Sequence, residues 1–385
     1  MLDSKSIIRY IKELNIAHVT SNKSYLKILN DFYLLNKRKG ILWGEYFSFH
    51  FETKSDDFKN SFLGVNEQRF YLDYLNPKKY YTAARNKYFS HLLLNAAGIK
   101  NKAELLCCYL PESKIESDSN IGYDYNTVRN ILIKKGVKEC VIKSPETSHG
   151  DNVYLITDIE YHNSNCILCD CFGNQLELKK LLSATPLIFE SRIRQTEQFN
   201  NFNQSSVNTI RFMTTLYPHG EAKIIGTFIK IGRSGNFVDN AGRGGNIDAA
   251  IDIESGKIHN VIQFDGWHSI KQILKHPDNN CTLDGVIVNN WESIKQKVLS
   301  FQQSFPWIKA AGWDIAITDT GPYVIEVNDF WDRTGQLFIG KGWREEIRDC
   351  YNSWKHFNAD KEVNYETERG NNRLKLKKLN QITKQ

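Results

Sequence analysis

The chain has 385 residues, 41% of them hydrophobic and 12% aromatic. That length suits two or three domains, and that composition requires a packed core and argues against global disorder. Fifty Lys and Arg against 44 Asp and Glu give a formal charge of +6, a mild excess that, with no recognisable DNA- or RNA-binding motif, argues against a nucleic-acid binder.

Eight cysteines in a chain this long, opening on Met1-Leu2-Asp3-Ser4-Lys5 without a basic then apolar leader, do not read as a disulfide framework. No stretch approaches the roughly 18 apolar residues of a membrane span, and the expected compartment is the cytoplasm.

In chain order, residues 1–80 read as a mainly helical accessory region, with Ile7, Ile8, Ile11 and Leu14 at helical spacing. Helices are expected over Tyr88–Ala97, closed by Gly98, and over Thr127–Lys135, closed by Gly136. Short β-rich runs follow at Cys140–Lys143, Val153–Ile156 and Leu187–Glu190. Longer strands are expected at Asn208–Leu216 and Lys223–Ile231. Ile247–Ile253 and Lys257–Gln263 form a hairpin across Glu254-Ser255-Gly256. A helix over Trp291–Phe305 precedes a strand pair, Trp313–Ile317 and Tyr323–Val327, and Trp343–Trp354 is the last helix. Helices mixed with mainly antiparallel strands make an α+β protein. Its main domain is expected over 81–355. Residues 356–385 read as a polar basic tail ending in Arg373-Leu-Lys-Leu-Lys-Lys378, a candidate for weak contact with a membrane surface.

The strand pair carries the most chemistry. Side chains repeat every two residues along a strand, so Glu326 and Asn328 share a face, and the tight turn brings Asp314 alongside. Three such oxygen ligands suit Mg²⁺, which takes few protein ligands and completes its shell with phosphates and water. Upstream, Lys143 ends a strand and enters a loop through Ser148, His149 and Gly150, a pattern that grips phosphate. Lys87 opens a helix and supplies a second cation. Leu187-Ile-Phe-Glu190 is a buried-looking strand ending in an acid that can present backbone groups and a carboxylate to an adenine edge. The Cys166-Ile-Leu-Cys169-Asp-Cys171 run lacks the second ligand pair of a structural zinc site. Trp331 is the tryptophan best placed to stack on a ligand.

The order Asn86-Lys87, Val141-Ile-Lys143, Phe189-Glu190, Asp314, Glu326-Val-Asn328 resembles the ATP-grasp superfamily. More closely, with Ser206-Val-Asn208-Thr-Ile-Arg211, Lys230-Ile-Gly-Arg233, Val238-Asp239-Asn240, Gly244-Gly245, His276-Pro277-Asp278 and Gly312-Trp313-Asp314, it resembles the sugar-transfer-associated ATP-grasp family over about residues 80–355. The resemblance implies an ATP-grasp fold, two α+β subdomains clasping ATP. It implies phosphate contacts from Lys87 and Lys143, with Ser148 to Gly150 as a lid, Glu190 at the adenine and Glu197 at the ribose. Asp314, Glu326 and Asn328 would hold Mg²⁺. Arg211, Arg233 and Arg243 are candidate donors to a developing oxyanion. Where several relatives carry an arginine two residues before the metal aspartate, this chain has Gly312, and Arg211 or Arg333 would take over its charge.

The activity implied is an ADP-forming ligase that activates a carboxylate as an acyl phosphate and passes it to an amine. Its substrates would be a sugar acid or amino sugar in capsule or O-antigen assembly. The rival expectations are a kinase phosphorylating a sugar or polyol, and a non-catalytic nucleotide-binding protein of a glycan-assembly complex. The acceptor pocket is expected to draw on residues 1–80 and 233–280.

Overall fold

The alternation of short strands and helices folds, in a computed structural model that describes residues 4–112, 120–146, 153–162, 165–182, 185–235, 245–264 and 270–359, into two seven-stranded sheets with a helical region before them. The first sheet holds β1 (Leu105–Tyr109), β2 (Ile121–Gly122), β3 (Cys140–Lys143), β4 (Val153–Tyr161), β5 (Cys166–Asp170), β6 (Gln175–Glu177) and β7 (Leu187–Glu190). Its order is β2-β1-β7-β3-β4-β5-β6. The second holds β8 (Thr209–Leu216), β9 (Ala222–Ile231), β10 (Ile247–Ile251), β11 (Ile258–Phe264), β12 (Ile270–Gln272), β13 (Ala310–Thr318) and β14 (Gly321–Asn328). Its order is β12-β11-β10-β9-β8-β13-β14, antiparallel throughout. This is the α+β architecture expected.

The helical region contains α1 (Ser4–Ser21), α2 (Tyr25–Lys39), α3 (Trp43–Ser48), α4 (Asp56–Ser61) and α5 (Val65–Leu75). Then come α6 (Thr82–Arg85), α7 (Lys87–Ala96), α8 (Tyr125–Lys134), α9 (Leu178–Leu181), α10 (Glu197–Phe202), α11 (Trp291–Ser304), α12 (Gly335–Ile339) and α13 (344–359). Capping sets several of these bounds. Ser24, Asn86 and Asp124 accept from the backbone N–H three residues on, which satisfies a donor the first turn leaves orphaned. Gly98 and Gly136 follow α7 and α8 at φ +72° and +62°, a region that disfavours side chains with a Cβ.

The first sheet packs Leu106, Ile142 and Phe189 against Val128 and Leu132 of α8. The second is covered on both faces. On one side Ile294, Val298 and Phe301 of α11 meet Phe212, Ile229 and Trp313; on the other, Met213 and Phe228 meet Leu72 of α5 and Trp343 and Ile347 before and within α13. A doubly covered sheet reads as nearly unbroken apolar strands, so the few charges inside β8, β9 and β13 are conspicuous.

Two features go beyond the sequence reading. The stripe of Ile7, Ile8 and Ile11 does not pack inward: these residues are 46%, 67% and 56% exposed, and α1 seats itself through Ala17, with Leu14 packed alongside. The run Leu105–Tyr109, unassigned in sequence, is an inner strand beside β7. The lid residues Ser148 and Gly150, the loop with Asp239, Arg243 and Gly244, and residues 360–385 of the basic tail lie outside the described residues, while 356–359, expected in that tail, continue α13.

Buried amide side chains join the helical region to the second sheet. Asn76 accepts from the backbone N–H groups of Lys309 and Ala310 and donates to the carbonyls of Ala310 and Asp329. Gln336 accepts from Leu63 and Trp343 and donates back to Leu63. Asn76→Ala removes four hydrogen bonds to the backbone at once and is expected to cost about 3 kcal/mol, read as a fall in the midpoint of denaturant unfolding; a loss below about 1 kcal/mol would contradict the joint.

Candidate active site

A cavity of about 320 Å³ opens between the sheets, lined by β3, β4 and the segment after β7 on one side and by β8, β9, β13 and β14 on the other. A smaller chamber of about 40 Å³ shares Lys87, Lys143, Glu190 and Glu326 with it and reaches His91 and Lys102.

On the first wall, Glu190 ends β7 directly beside β3, because Val141 pairs with Glu190 and Lys143 with Ile188. Its two carboxylate oxygens are taken separately: Oε1 lies 2.6 Å from His91 Nε2 and Oε2 lies 2.6 Å from Lys143 Nζ. Burial pushes the Glu190 carboxyl up, but Lys143 and His91 outweigh it and hold it at about 2. Lys87 and His91 stand four apart on α7, one face of the helix. The Lys87 backbone N–H donates to Pro145 O, and Asn86 Nδ2 to Glu146, tying the start of α7 to the loop that leads to Ser148. Burial lowers the Lys87 ammonium pKa against the pull of Glu326.

On the second wall, β13 pairs Asp314 with Arg211 on one side and with Glu326 on the other. Arg211 grips Asp314 with two donors, Nε to Oδ1 at 2.5 Å and a terminal nitrogen to Oδ2 at 2.7 Å, and Lys230 Nζ lies 3.1 Å from Oδ1. Burial works against the charge on Asp314, but Arg211 and Lys230 prevail and keep its pKa below the ordinary value. The register slips between Asp314 and Ile315, since Ile315 faces Val324, leaving Ile325 as a bulge. Bulges re-aim neighbouring side chains, and here both Ile325 and Glu326 line the cavity. Among the described residues the Glu326 carboxylate has no ion pair closer than 4 Å.

The structure therefore brings Lys87, Lys143, Glu190, Asp314 and Glu326 together. It does not bring the rest. Asn328 pairs with Gly312 and donates to Gly312 O at 3.3 Å, off the cavity lining. Arg233 forks onto Asp278, and Arg333 meets Glu45 of α3 at 2.6 Å. Glu197 is exposed at the first turn of α10, outside the lining. Trp331 is buried against Trp343 and cannot stack on a ligand. A Cβ at Gly312 would stand 2.9 Å from Trp331 Cβ, which is why no arginine stands at that position.

Sequence reading missed Lys230, Lys102 and His91 as cavity residues, and Asn200, Gln204 and Ser205 from the polar segment around α10. Lys230 had a signal: it is a lone cation in the apolar run Thr227-Phe-Ile-Lys-Ile231. His91 had another, its spacing from Lys87.

A family profile described as sugar-transfer associated ATP-grasp matches residues 66–351. No curated protein sequence matches. Among solved structures, the ADP complex of N5-carboxyaminoimidazole ribonucleotide synthetase is 9% identical, with 65% of this chain and 46% of that one covered at a TM-score of 0.36. The chain thus spans less than half of that enzyme's length. D-alanine–D-alanine ligase from Bacillus anthracis is 13% identical over 71% of this chain and 69% of its own, at 0.35. A D-Ala:D-Ser ligase from Enterococcus faecalis is 11% identical over 69% and 61%, at 0.40.

The Glu190 cluster gives a pH test. A carboxyl held at about 2 against the ordinary 4.5 stabilises the fold fully above pH 4.5, and that contribution fades as pH falls towards 2. Lys143→Met removes the larger charge that offsets burial at Glu190 and leaves His91 alone to oppose it. The stability gap between wild type and variant should be widest near neutral pH and narrow below about pH 4. Denaturant unfolding across that range checks it; a gap that does not change with pH would discard the ion pair as its source.

Proposed function

Because the profile match covers most of its length, the chain belongs to the sugar-transfer associated ATP-grasp family, and we propose that it is an ATP- and Mg²⁺-dependent carboxylate–amine ligase working on glycan precursors. The observation that carries this reading is the cavity itself, which Lys87, Lys143 and Lys230 line together with Asp314 and Glu326.

The donor chemistry fits the cofactors. Among the described residues no group of three or more His, Cys, Asp or Glu is poised to close around a metal. Two neighbouring carboxylates without a cage are what Mg²⁺ uses when substrate phosphates and water complete its shell. Asp314 and Glu326, opposite each other across β13 and β14, would hold it, and Asn328 drops to an outer role. Bound there, Mg²⁺ supplies neutralisation of the charge that builds on the phosphates during transfer.

The chain's own residues do the rest. Three ammonium groups, Lys87, Lys143 and Lys230, line the cavity with Glu190, Asp314 and Glu326, while Arg192 and Arg194 at its edge are both paired to Glu139; in this reading Lys87, Lys143 and Lys230 meet the phosphates. Lys143 is held by Glu190 at the floor, fixing one phosphate contact in place. Ser191 to Ile193 line the cavity just after β7, and in this reading their backbone meets the adenine edge while Asn200 and Gln204 take the ribose in place of Glu197. Arg211 is spent on Asp314, so it orients that carboxylate and does not reach the reacting centre. In the reaction the γ-phosphate passes to a substrate carboxylate, giving an acyl phosphate and ADP. An amine then displaces phosphate and forms the amide. A sugar acid or an amino sugar of a capsule or O-antigen precursor is the substrate class the family's association favours.

Release of ADP and phosphate is expected only when Mg²⁺, ATP, a sugar acid and an amine are all present. Asp314→Asn and Glu326→Gln should each lower it by about a hundredfold or more; Glu326→Gln, outside the Arg211–Lys230 cluster, is the variant expected to keep native stability. Phosphorylated product without an amine requirement would make the chain a kinase. ATP binding without turnover on any acceptor pool would leave a binding protein.

The pairing of Lys230 gives a second test. Lys230→Met removes one of the two cations on Asp314, and ATP turnover is expected to fall while circular dichroism stays native. Unchanged turnover would remove Lys230 from the site.

A further inference from the structure

The isoleucine stripe that α1 turns outward does not stand alone. Ile7, Ile8, Ile11 and Val19 fall within an arc of about 120° on one face of the helix, and Val19 is 80% exposed. On α2, Tyr25, Leu26, Leu29 and Tyr33 form a second exposed stripe, with Leu26 also 80% exposed. The two stripes join. The Tyr25 hydroxyl donates to Asn15 Oδ1 at 3.0 Å, and the Tyr25 ring lies 4.4 Å from the ring of His18. The inward faces are already used: Ala17, Ile28 and Leu35 pack with Tyr46, Phe51 and Phe62 in a core of their own. An apolar surface of this size on a folded protein marks an interaction site.

The charges beside it are sorted by sign. Between residues 7 and 39 there are two acids, and both turn inward. Glu13 accepts from Trp43 Nε1 at 2.6 Å, and Asp31 accepts from Lys59 and from the Tyr46 hydroxyl. Lys12, Lys27, Lys37 and Arg38 all point to solvent, so over residues 7–39 the exposed charges beside the apolar side chains are cations.

We propose that the outward face of α1 and α2 docks this protein on an anionic phospholipid surface. An apolar helix face with a basic margin is what an interfacial helix presents to headgroups and the first acyl carbons. A second copy of the chain would set this basic margin against itself across a two-fold axis. Residues 360–385 carry seven basic against four acidic side chains and complement it no better. The inference does not depend on the proposed chemistry.

Flotation of the full chain with phosphatidylcholine vesicles, with and without phosphatidylglycerol, tests it. The chain should float with the anionic vesicles and not with the neutral ones, and high salt should weaken the binding. Ile8→Ser with Leu26→Ser should lower partitioning about tenfold, and so should Lys12→Gln with Lys27→Gln and Lys37→Gln. These side chains are exposed, so an unchanged melting temperature and unchanged circular dichroism would show that the fold survives. No flotation, equal flotation on neutral vesicles, or full binding by both variants overturns the proposal. Loss of binding only on deletion of 360–385, or a dimer in light scattering that the serine variants dissolve, overturns it equally.

Discussion

The architecture turns on a charge that has no right to be where it is unless it is paired. Asp314 lies in a strand with apolar cover on both faces, and an isolated carboxylate there would neutralise or disrupt the sheet. Arg211 from β8 and Lys230 from β9 reach it from the same side of β13. Removing one partner of such a buried cluster typically costs about 3–5 kcal/mol, so the cluster acts as a clamp on the register of three neighbouring strands. A slip of one residue would turn Asp314 to the opposite face. The same clamp holds Asp314 ionised and next to Glu326, which is the condition for a hard cation to be shared between them and a phosphate.

The facing wall uses the same device with different residues. Glu190 is fixed by Lys143 from the adjacent strand and by His91 from α7. Each wall thus has one acid locked by two cationic or basic groups, and Lys87 lines the cavity beside them. The cavity lining thus combines these charged groups with the apolar side chains of Val141, Leu155, Val207 and Ile325. That combination suits a nucleotide, whose base takes apolar contacts and whose phosphates take charged ones.

The helical region joins the sheets through amide side chains more than through charge. Asn76 and Gln68 meet carbonyls at the start of β13 and just past the end of β14, and Gln336 of α12 ties to Leu63, which places the region directly behind the carboxylate hairpin. Arg85 adds a fork onto Asp329, one residue past Asn328, and lies over the Tyr81 ring. The region steadies the hairpin from behind and leaves its own outer face to solvent.

Sequence alone determined the elements whose signals are local. The helix at Lys87–Ala96 was legible from its apolar spacing and Gly98. The β13–β14 hairpin was legible from its two short apolar runs around Thr318-Asp319-Thr320-Gly321. Lys143 at the end of β3 and Glu190 at the end of β7 were legible as strand-end charges. The family resemblance rested on the order of such pieces. Only the tertiary structure decided which charges meet. Nothing local says that Arg233 and Arg333 are drawn away to Asp278 and Glu45, that Trp331 fills the space beside Gly312, or that Lys230 turns to Asp314. Periodicity gave Ile7, Ile8 and Ile11 a common face but not its direction, because a helix face is buried only if a neighbour arrives to cover it. Local spacing sets which side chains stand together on one element; the register between distant strands and the packing of remote helices set which of them share a site.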